Sequence, residues 1–193
     1  MSPSEKSLSS KLNLFVRRLW RACEGMVAAE FAIIAPVMIT IFFGVSELSD
    51  GLEAYAKVTS VASTASDLVA QEKVVCDTEM TDIFAALEAI MFPYPAGSNV
   101  SIRISSLVDG GNGLAKVVWS DSHNTTARTV NSTISGLPAG LIDANGGSVI
   151  FSEVWYSYNN VTGQWLHGTI VMADKFYSHP RKVAQVTRTV NSC

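Results

Sequence analysis

The sequence is poor in charge. Only 16% of its 193 residues are Asp, Glu, Lys or Arg, against about 25% in an average soluble domain. Hydrophobic residues make up 48% and the mean hydropathy is +0.24, which argues against a disordered chain. A net charge of −3 and an isoelectric point near 5.6 argue against a nucleic-acid partner. The apolar residues are not spread over several long runs, so a membrane protein with many spans is not expected.

Residues that carry catalysis are also sparse. The three histidines, His123, His167 and His179, fall in different predicted elements and lack metal-ligand spacing. No Gly-x-Ser-x-Gly turn for a nucleophilic serine is present. The sequence therefore predicts a protein that is not an enzyme and that needs no metal or cofactor.

The one long hydrophobic run lies near the N-terminus. Sixteen of the twenty residues from Met26 to Val45 are apolar, and twenty helical residues span about 30 Å, the thickness of the hydrocarbon core. Residues 1–25 carry five basic and two acidic side chains, whereas the rest of the chain carries nine basic and fifteen acidic ones. The positive-inside rule places the N-terminus in the cytoplasm and the remaining chain outside the membrane. A cleaved secretory signal is the alternative, but such hydrophobic regions usually run 7–15 residues.

Glu30 is the unusual residue of this run. An unpaired carboxylate in hydrocarbon costs roughly 2.5–3.5 kcal/mol and is by default a functional hypothesis. If the chain were cut after Gly25, Met26 would carry a free α-amine and Glu30 would be the fifth residue of the mature chain. An ammonium group on the same helix or on a neighbouring one could then pair with Glu30 and offset the cost of its burial.

The motif Gly-x4-Glu-Phe after a basic leader resembles the prepilin-peptidase site of type IV pilin-like proteins. The stretch AEFAIIAPVM, residues 29–38, resembles the TadE-like pseudopilins of the tight-adherence (Tad/Flp) pilus system, and the resemblance covers about residues 15–65. It implies processing between Gly25 and Met26 and roles in subunit assembly for Glu30, Phe31 and Pro36. It also implies, as partners, the prepilin peptidase, membrane lipid, and other pilin-like and Tad pilus assembly proteins.

Beyond the membrane segment the sequence predicts an α+β protein. Apolar residues continue at steps of three and four, which predicts one helix from Met26 to Val74. A second, short helix is expected over residues 77–94, with Asp77 or Thr78 as its cap. Alternating or β-rich segments predict a sheet of four to five antiparallel strands. These strands are expected at residues 100–105, 114–120, 149–158, 164–172 and 183–190, with a loop at residues 121–133.

The predicted organisation has four parts. Residues 1–25 form a basic cytoplasmic leader, and residues 26–45 form the transmembrane helix. Residues 46–75 continue that helix outside the membrane, and residues 76–193 form a small periplasmic domain. The outer half of the long helix is expected to pack on this domain, while the membrane half packs on partners.

The chain has three cysteines. Cys23 would be lost with the leader, which leaves Cys76 and Cys193 on the outer side. An even pair in an oxidising compartment suggests a disulfide. Two free thiols, or a link to another subunit, are the alternatives.

Two functions of different classes follow from the sequence. The first is a prepilin-like protein of the bacterial inner membrane that acts in assembly of a Tad-type adhesive pilus, as a minor subunit, a tip initiator or a stabiliser of the membrane platform. The second is an uncleaved, single-pass membrane anchor whose outer domain binds or senses a ligand. Retention of residues 1–25 in the mature protein would favour the second.

Overall fold

The computed structural model describes residues 24–138, 140–142, 147–159 and 169–191. The chain divides into two compact units, with the boundary between Leu48 and Ser49.

One long α-helix, α1, spans Glu24–Ala70 and continues through Pro36. The Thr40 hydroxyl donates a hydrogen bond to the Pro36 carbonyl at 2.8 Å. The helix ends at Ala70, four residues before the predicted end, where the Gln71 amide donates to the carbonyls of Asp67 and Leu68. The next residues enter a short strand, β1, at Val74–Val75.

The second helix, α2, spans Asp77–Ile90 and buries the predicted apolar face, consisting of Met80, Ile83, Phe84 and Leu87. Its N-cap is Cys76, which makes no side-chain cap hydrogen bond. The predicted cap residue Asp77 instead lies in the first turn, where a negative charge interacts favourably with the helix dipole. The helix ends at Ile90 rather than at residue 94, because Pro93 disfavours helical backbone at the residue before it.

The sheet has five antiparallel strands, as predicted, and their order is β4-β3-β2-β5-β6. The strands are β2 (Val100–Asp109), β3 (Ala115–His123), β4 (Thr133–Ile134), β5 (Ser148–Tyr158) and β6 (Ile170–Ser178). A final short strand, β7 (Thr187–Arg188), pairs in parallel with β1 and forms a separate two-stranded sheet. The fold class is therefore α+β, with a long apolar N-terminal helix before a small domain.

Several strand boundaries differ from the predictions. The partner of β5 begins at Ile170, whereas the sequence placed it at residues 164–172; residues 164–168 lie outside the described residues. The predicted last strand, residues 183–190, is reduced to the two residues of β7. The predicted loop at residues 121–133 contains the end of β3 and the start of β4.

The core of the second unit lies between the helices and one face of the sheet. From Ala54 onward, α1 buries one face against the sheet, formed by Ala54, Val58, Val61, Ala62, Ala65 and Val69. The Ser152 hydroxyl of β5 donates to the Ala62 carbonyl at 2.5 Å and so joins sheet to helix. The outer half of the long helix thus packs on the domain, as the sequence predicts.

Candidate interaction surfaces

The N-terminal part of α1 exposes a continuous apolar surface. Twelve large hydrophobic side chains between residues 26 and 45 are each more than half exposed: Met26, Val27, Phe31, Ile33, Ile34, Val37, Met38, Ile39, Ile41, Phe42, Phe43 and Val45. Among the described residues, the helical segment 26–70 is long and apolar enough to cross a membrane. Its most apolar window has a mean hydropathy of 2.2. A helix that is apolar on all sides needs lipid or other helices around it. Lipid, other helices or both are therefore expected to surround residues 26–45.

The predicted processing and assembly residues all lie on this part of α1. Gly25 and Met26 belong to its first turn, since the helix begins at Glu24. Glu30 and Phe31 are exposed, Phe31 by 71%, and Pro36 lies within the helix. Met26 and Glu30 are four residues apart, so they occupy the same helix face.

Cys76 follows β1, and it is disulfide-bonded. Cys193, its predicted partner, lies outside the described residues. The pairing of β1 with β7 brings the C-terminal segment to this place, because the Thr189 amide donates to the Val75 carbonyl at 3.0 Å. Cys193 follows Thr189 by four positions in the sequence, and the Cys76–Cys193 bond remains a proposal.

The outer domain has a groove of about 400 Å³ between α2, the end of β3 and β7. Arg188 lies in it and bonds two carboxylates. Its Nε donates to Asp121 Oδ2 at 2.5 Å, and its Nη2 donates to Asp77 Oδ1 at 2.5 Å. The hydrogen bond to Asp121 raises the pKa of Arg188, while its burial acts in the opposite direction.

The other end of the groove carries a second polar pair. His123 Nε2 and Glu88 Oε1 lie 2.8 Å apart, and the His123 ring packs on Phe84 with ring centroids 5.5 Å apart. Arg188 and His123 of the groove therefore bond its carboxylates and connect α2 to β3 and β7. Within the described ranges, no group of three or more His, Cys, Asp or Glu side chains is arranged to hold a metal ion.

An ion cluster on the other face of the sheet was not foreseen from the sequence. The Glu153 carboxylate accepts hydrogen bonds from Arg103 Nε at 2.9 Å and from Arg128 Nη2 at 2.7 Å. The Arg103 guanidinium lies 4.9 Å from the centre of the Trp155 ring, and its Nη1 donates to the Thr126 carbonyl. The cluster fixes the segment after β3 against the sheet. Arg103 and Arg128 precede Glu153 by 50 and 25 positions, so only the strand register could have brought these three residues together.

Comparison with known proteins gives a match to a protein family. Residues 25–67 match the model of the family described as TadE-like protein. No curated protein and no solved structure matches the chain. The match covers the apolar part of α1 and its continuation into the outer domain, and it coincides with the segment that carries the resemblance in the sequence. The chain is thus similar to the TadE-like family over residues 25–67, within the helix that is long and apolar enough to cross a membrane.

Proposed function

We propose that this protein is a pseudopilin, or minor pilin-like subunit, that acts in assembly of the Tad pilus after a prepilin peptidase has cut it between Gly25 and Met26. The observation that carries the proposal is the difference in burial between the two parts of α1. The helix face from Ala54 onward is buried in the outer domain, whereas residues 26–45 expose apolar side chains and one carboxylate. The N-terminal part is therefore the part of α1 that is available to lipid and to the helices of other subunits.

The position of the cleaved bond suits a peptidase. The Gly25–Met26 bond lies in the first turn of α1, where the backbone amides have no partners within the helix and the chain frays readily. Glycine also lowers helix propensity by about 1 kcal/mol relative to alanine. Local opening of this turn would expose the bond without disturbing the remainder of α1.

Cleavage would give Glu30 a partner. The new α-ammonium of Met26 would lie four residues from Glu30 on the same helix or opposite the Glu30 of a neighbouring subunit. Pairing would offset the roughly 2.5–3.5 kcal/mol that a lone carboxylate costs in a bilayer. In this mechanism Glu30 sets the depth at which subunits align, and Phe31 packs on the adjacent helix.

The first test of the proposal is the N-terminal sequence and intact mass of the membrane-bound protein, from cells with and without their prepilin peptidase. We expect a start at Met26 only when the peptidase is present. A start at Met1 in both strains would refute processing and would leave an uncleaved anchor, for which the groove beside Arg188 is the place to look for a ligand.

A second test addresses Glu30 itself. Glu30→Gln should impair co-purification with other pilin-like subunits while leaving membrane insertion intact. Glu53→Gln is the matched control, because it makes the same change at an exposed position of the same helix. Equal subunit recovery for both variants would refute the assigned role of Glu30.

A further inference from the structure

Strand β6 forms one edge of the five-stranded sheet. It spans Ile170–Ser178, and no described strand lies beyond it. Its nine residues pair with β5 in one continuous register, from the Tyr158–Ile170 pair to the Ile150–Ser178 pair. Short edge strands, prolines and bulges are the usual devices that prevent further pairing. The other edge strand, β4, has only two residues, whereas β6 is long and regular and contains no proline.

Alternate residues of β6 direct their peptide groups away from β5. In an antiparallel pair, one residue turns both its N–H and its C=O to the partner strand, and the next residue turns them to the other side. The Ser152 hydroxyl of β5 donates to the Phe176 carbonyl at 3.4 Å, which places that carbonyl on the β5 side. The Lys175 amide instead donates to Oδ1 of Asp174 at 2.8 Å. The outer edge therefore carries the peptide groups of Val171, Ala173, Lys175 and Tyr177.

This outer edge is open within the part of the chain that the structure describes. The Lys175 amide bonds the Asp174 side chain, whereas the amides of Val171, Ala173 and Tyr177 make no hydrogen bond to a described residue on the outer side. Another extended chain offers N–H and C=O groups at the same spacing. The geometry of the edge therefore specifies a β-strand as its occupant.

Apolar side chains flank the edge on both faces of the sheet. Cross-strand neighbours share a face, so Ile170 and Phe176, opposite Tyr158 and Ser152, lie on the face that packs on α1. They are nevertheless 54% and 44% exposed, and Val171 on the opposite face is 63% exposed. A strand added at the edge would cover part of all three side chains.

The charges of β6 specify the charge of the added strand. The Asp174 carboxylate accepts hydrogen bonds from the Thr59 hydroxyl at 2.6 Å and from the Lys175 amide at 2.8 Å. Lys175 is exposed, and its cross-strand neighbour Glu153 is already bonded by two arginines. Opposite charges on neighbouring strands stabilise a sheet, and like charges destabilise it. The complementary residue opposite Lys175 is therefore an acid.

We propose that β6 binds an extended segment of another polypeptide, which joins the sheet as a sixth strand with a carboxylate opposite Lys175. Strand β5 shows what such a segment looks like, because it places Glu153 opposite Lys175 and stacks Phe151 on Tyr177 at 4.7 Å. Alternate strands of an antiparallel sheet repeat by translation. A strand with the β5 sequence would therefore fit the outer edge in the same register. The inference concerns the outer domain alone and does not depend on cleavage at Gly25.

The test uses the full chain in detergent and a fluorescent synthetic peptide with the sequence of residues 148–158, and fluorescence anisotropy measures binding. Ala173→Pro removes one outward N–H and places a ring at the edge. It leaves the pairing with β5 in place, because proline is tolerated in edge strands where the N–H would face solvent. Ala173→Thr is the matched control, because it keeps the N–H and has high β propensity. Near-ultraviolet circular dichroism confirms that both variants are folded.

We expect the peptide to bind the unsubstituted chain and Ala173→Thr with similar affinity, and Ala173→Pro about tenfold more weakly. A second peptide with the change Glu153→Lys should bind the unsubstituted chain about threefold more weakly. Equal affinity of the first peptide for the two variants, or no binding to the unsubstituted chain, would refute the edge site. Equal affinity of the two peptides would refute the register that faces a carboxylate to Lys175.

Hydrogen exchange at single-residue resolution gives a measurement that is specific to the edge. The peptide should slow exchange of the outward amides of Val171 and Ala173, while the Met172 amide, which faces β5, changes little. Unchanged exchange at Val171 and Ala173 would contradict an added strand. Sedimentation of the chain without peptide tests the other occupant. A dimer that Ala173→Pro dissociates would overturn the proposal and assign the edge to a second copy of this chain.

Discussion

Ala62 tests whether the outer half of α1 belongs to the core of the domain. Its side chain is fully buried, and its carbonyl accepts the Ser152 hydroxyl at 2.5 Å. Ala62→Leu would add three carbons where helix and sheet already touch. Overpacking of this kind costs about 1–3 kcal/mol, roughly a 5- to 150-fold change in the folding equilibrium. Ala56→Leu makes the same change at an exposed position six residues earlier in the same helix, and it should cost less than about 0.5 kcal/mol.

The two variants are compared by urea unfolding of the full chain in detergent. Trp119 is buried in the domain core, and its indole donates to the Val186 carbonyl at 2.8 Å, so near-ultraviolet circular dichroism reports the loss of native packing. We expect a lower midpoint for Ala62→Leu with an unchanged slope. Equal midpoints for the two variants would refute the reasoning, because residues 54–70 would then be free to pack on other subunits instead.

Three further predictions concern the outer domain and use the same unfolding assay. Leu87→Ala, at a fully buried position of α2, should cost about 2.7–5 kcal/mol, whereas Leu52→Ala, at an exposed position, should cost far less; similar costs would contradict the assigned core. Cys76→Ser should lower the free energy of unfolding by about 2–5 kcal/mol, and peptide mapping without reduction should recover Cys76 joined to Cys193; recovery of Cys193 as a free thiol would exclude that pairing. Desolvation, followed by the charges of Glu53 and Asp50, raises the pKa of Tyr94, so its contribution to stability is complete below the unfolded value near 10 and is lost as pH rises through the folded value. Tyr94→Phe should accordingly make the fall of stability above pH 10 shallower, and an unchanged slope would argue against this linkage.

The part of the fold that the sequence could predict is local. A twenty-residue apolar run, the spacing from Gly25 to Glu30 and the apolar face of α2 are each set by neighbouring residues, because helical periodicity and membrane thickness act over a few turns. The sequence also predicted the number of strands in the main sheet and their antiparallel direction, since the period-two pattern and the turn residues between strands are local signals. Element ends were less predictable: α1 stops at Ala70 because residues 74–75 pair with β7, more than a hundred residues away.

What the tertiary structure decided depends on contacts between distant residues. Strand order and register determine that Glu153 meets Arg103 and Arg128, and that Arg188 lies between Asp77 and Asp121. The hydrogen bond from the Tyr94 hydroxyl to the Asp50 carbonyl likewise joins residues forty-four positions apart. The sequence by itself thus determined a long apolar N-terminal run that contains one carboxylate, and it predicts cleavage after Gly25. The sequence predicts that the outer half of α1 packs on the domain, but the tertiary structure decided which of its residues are buried, because burial of a helix face requires a sheet assembled from strands spread over the rest of the chain.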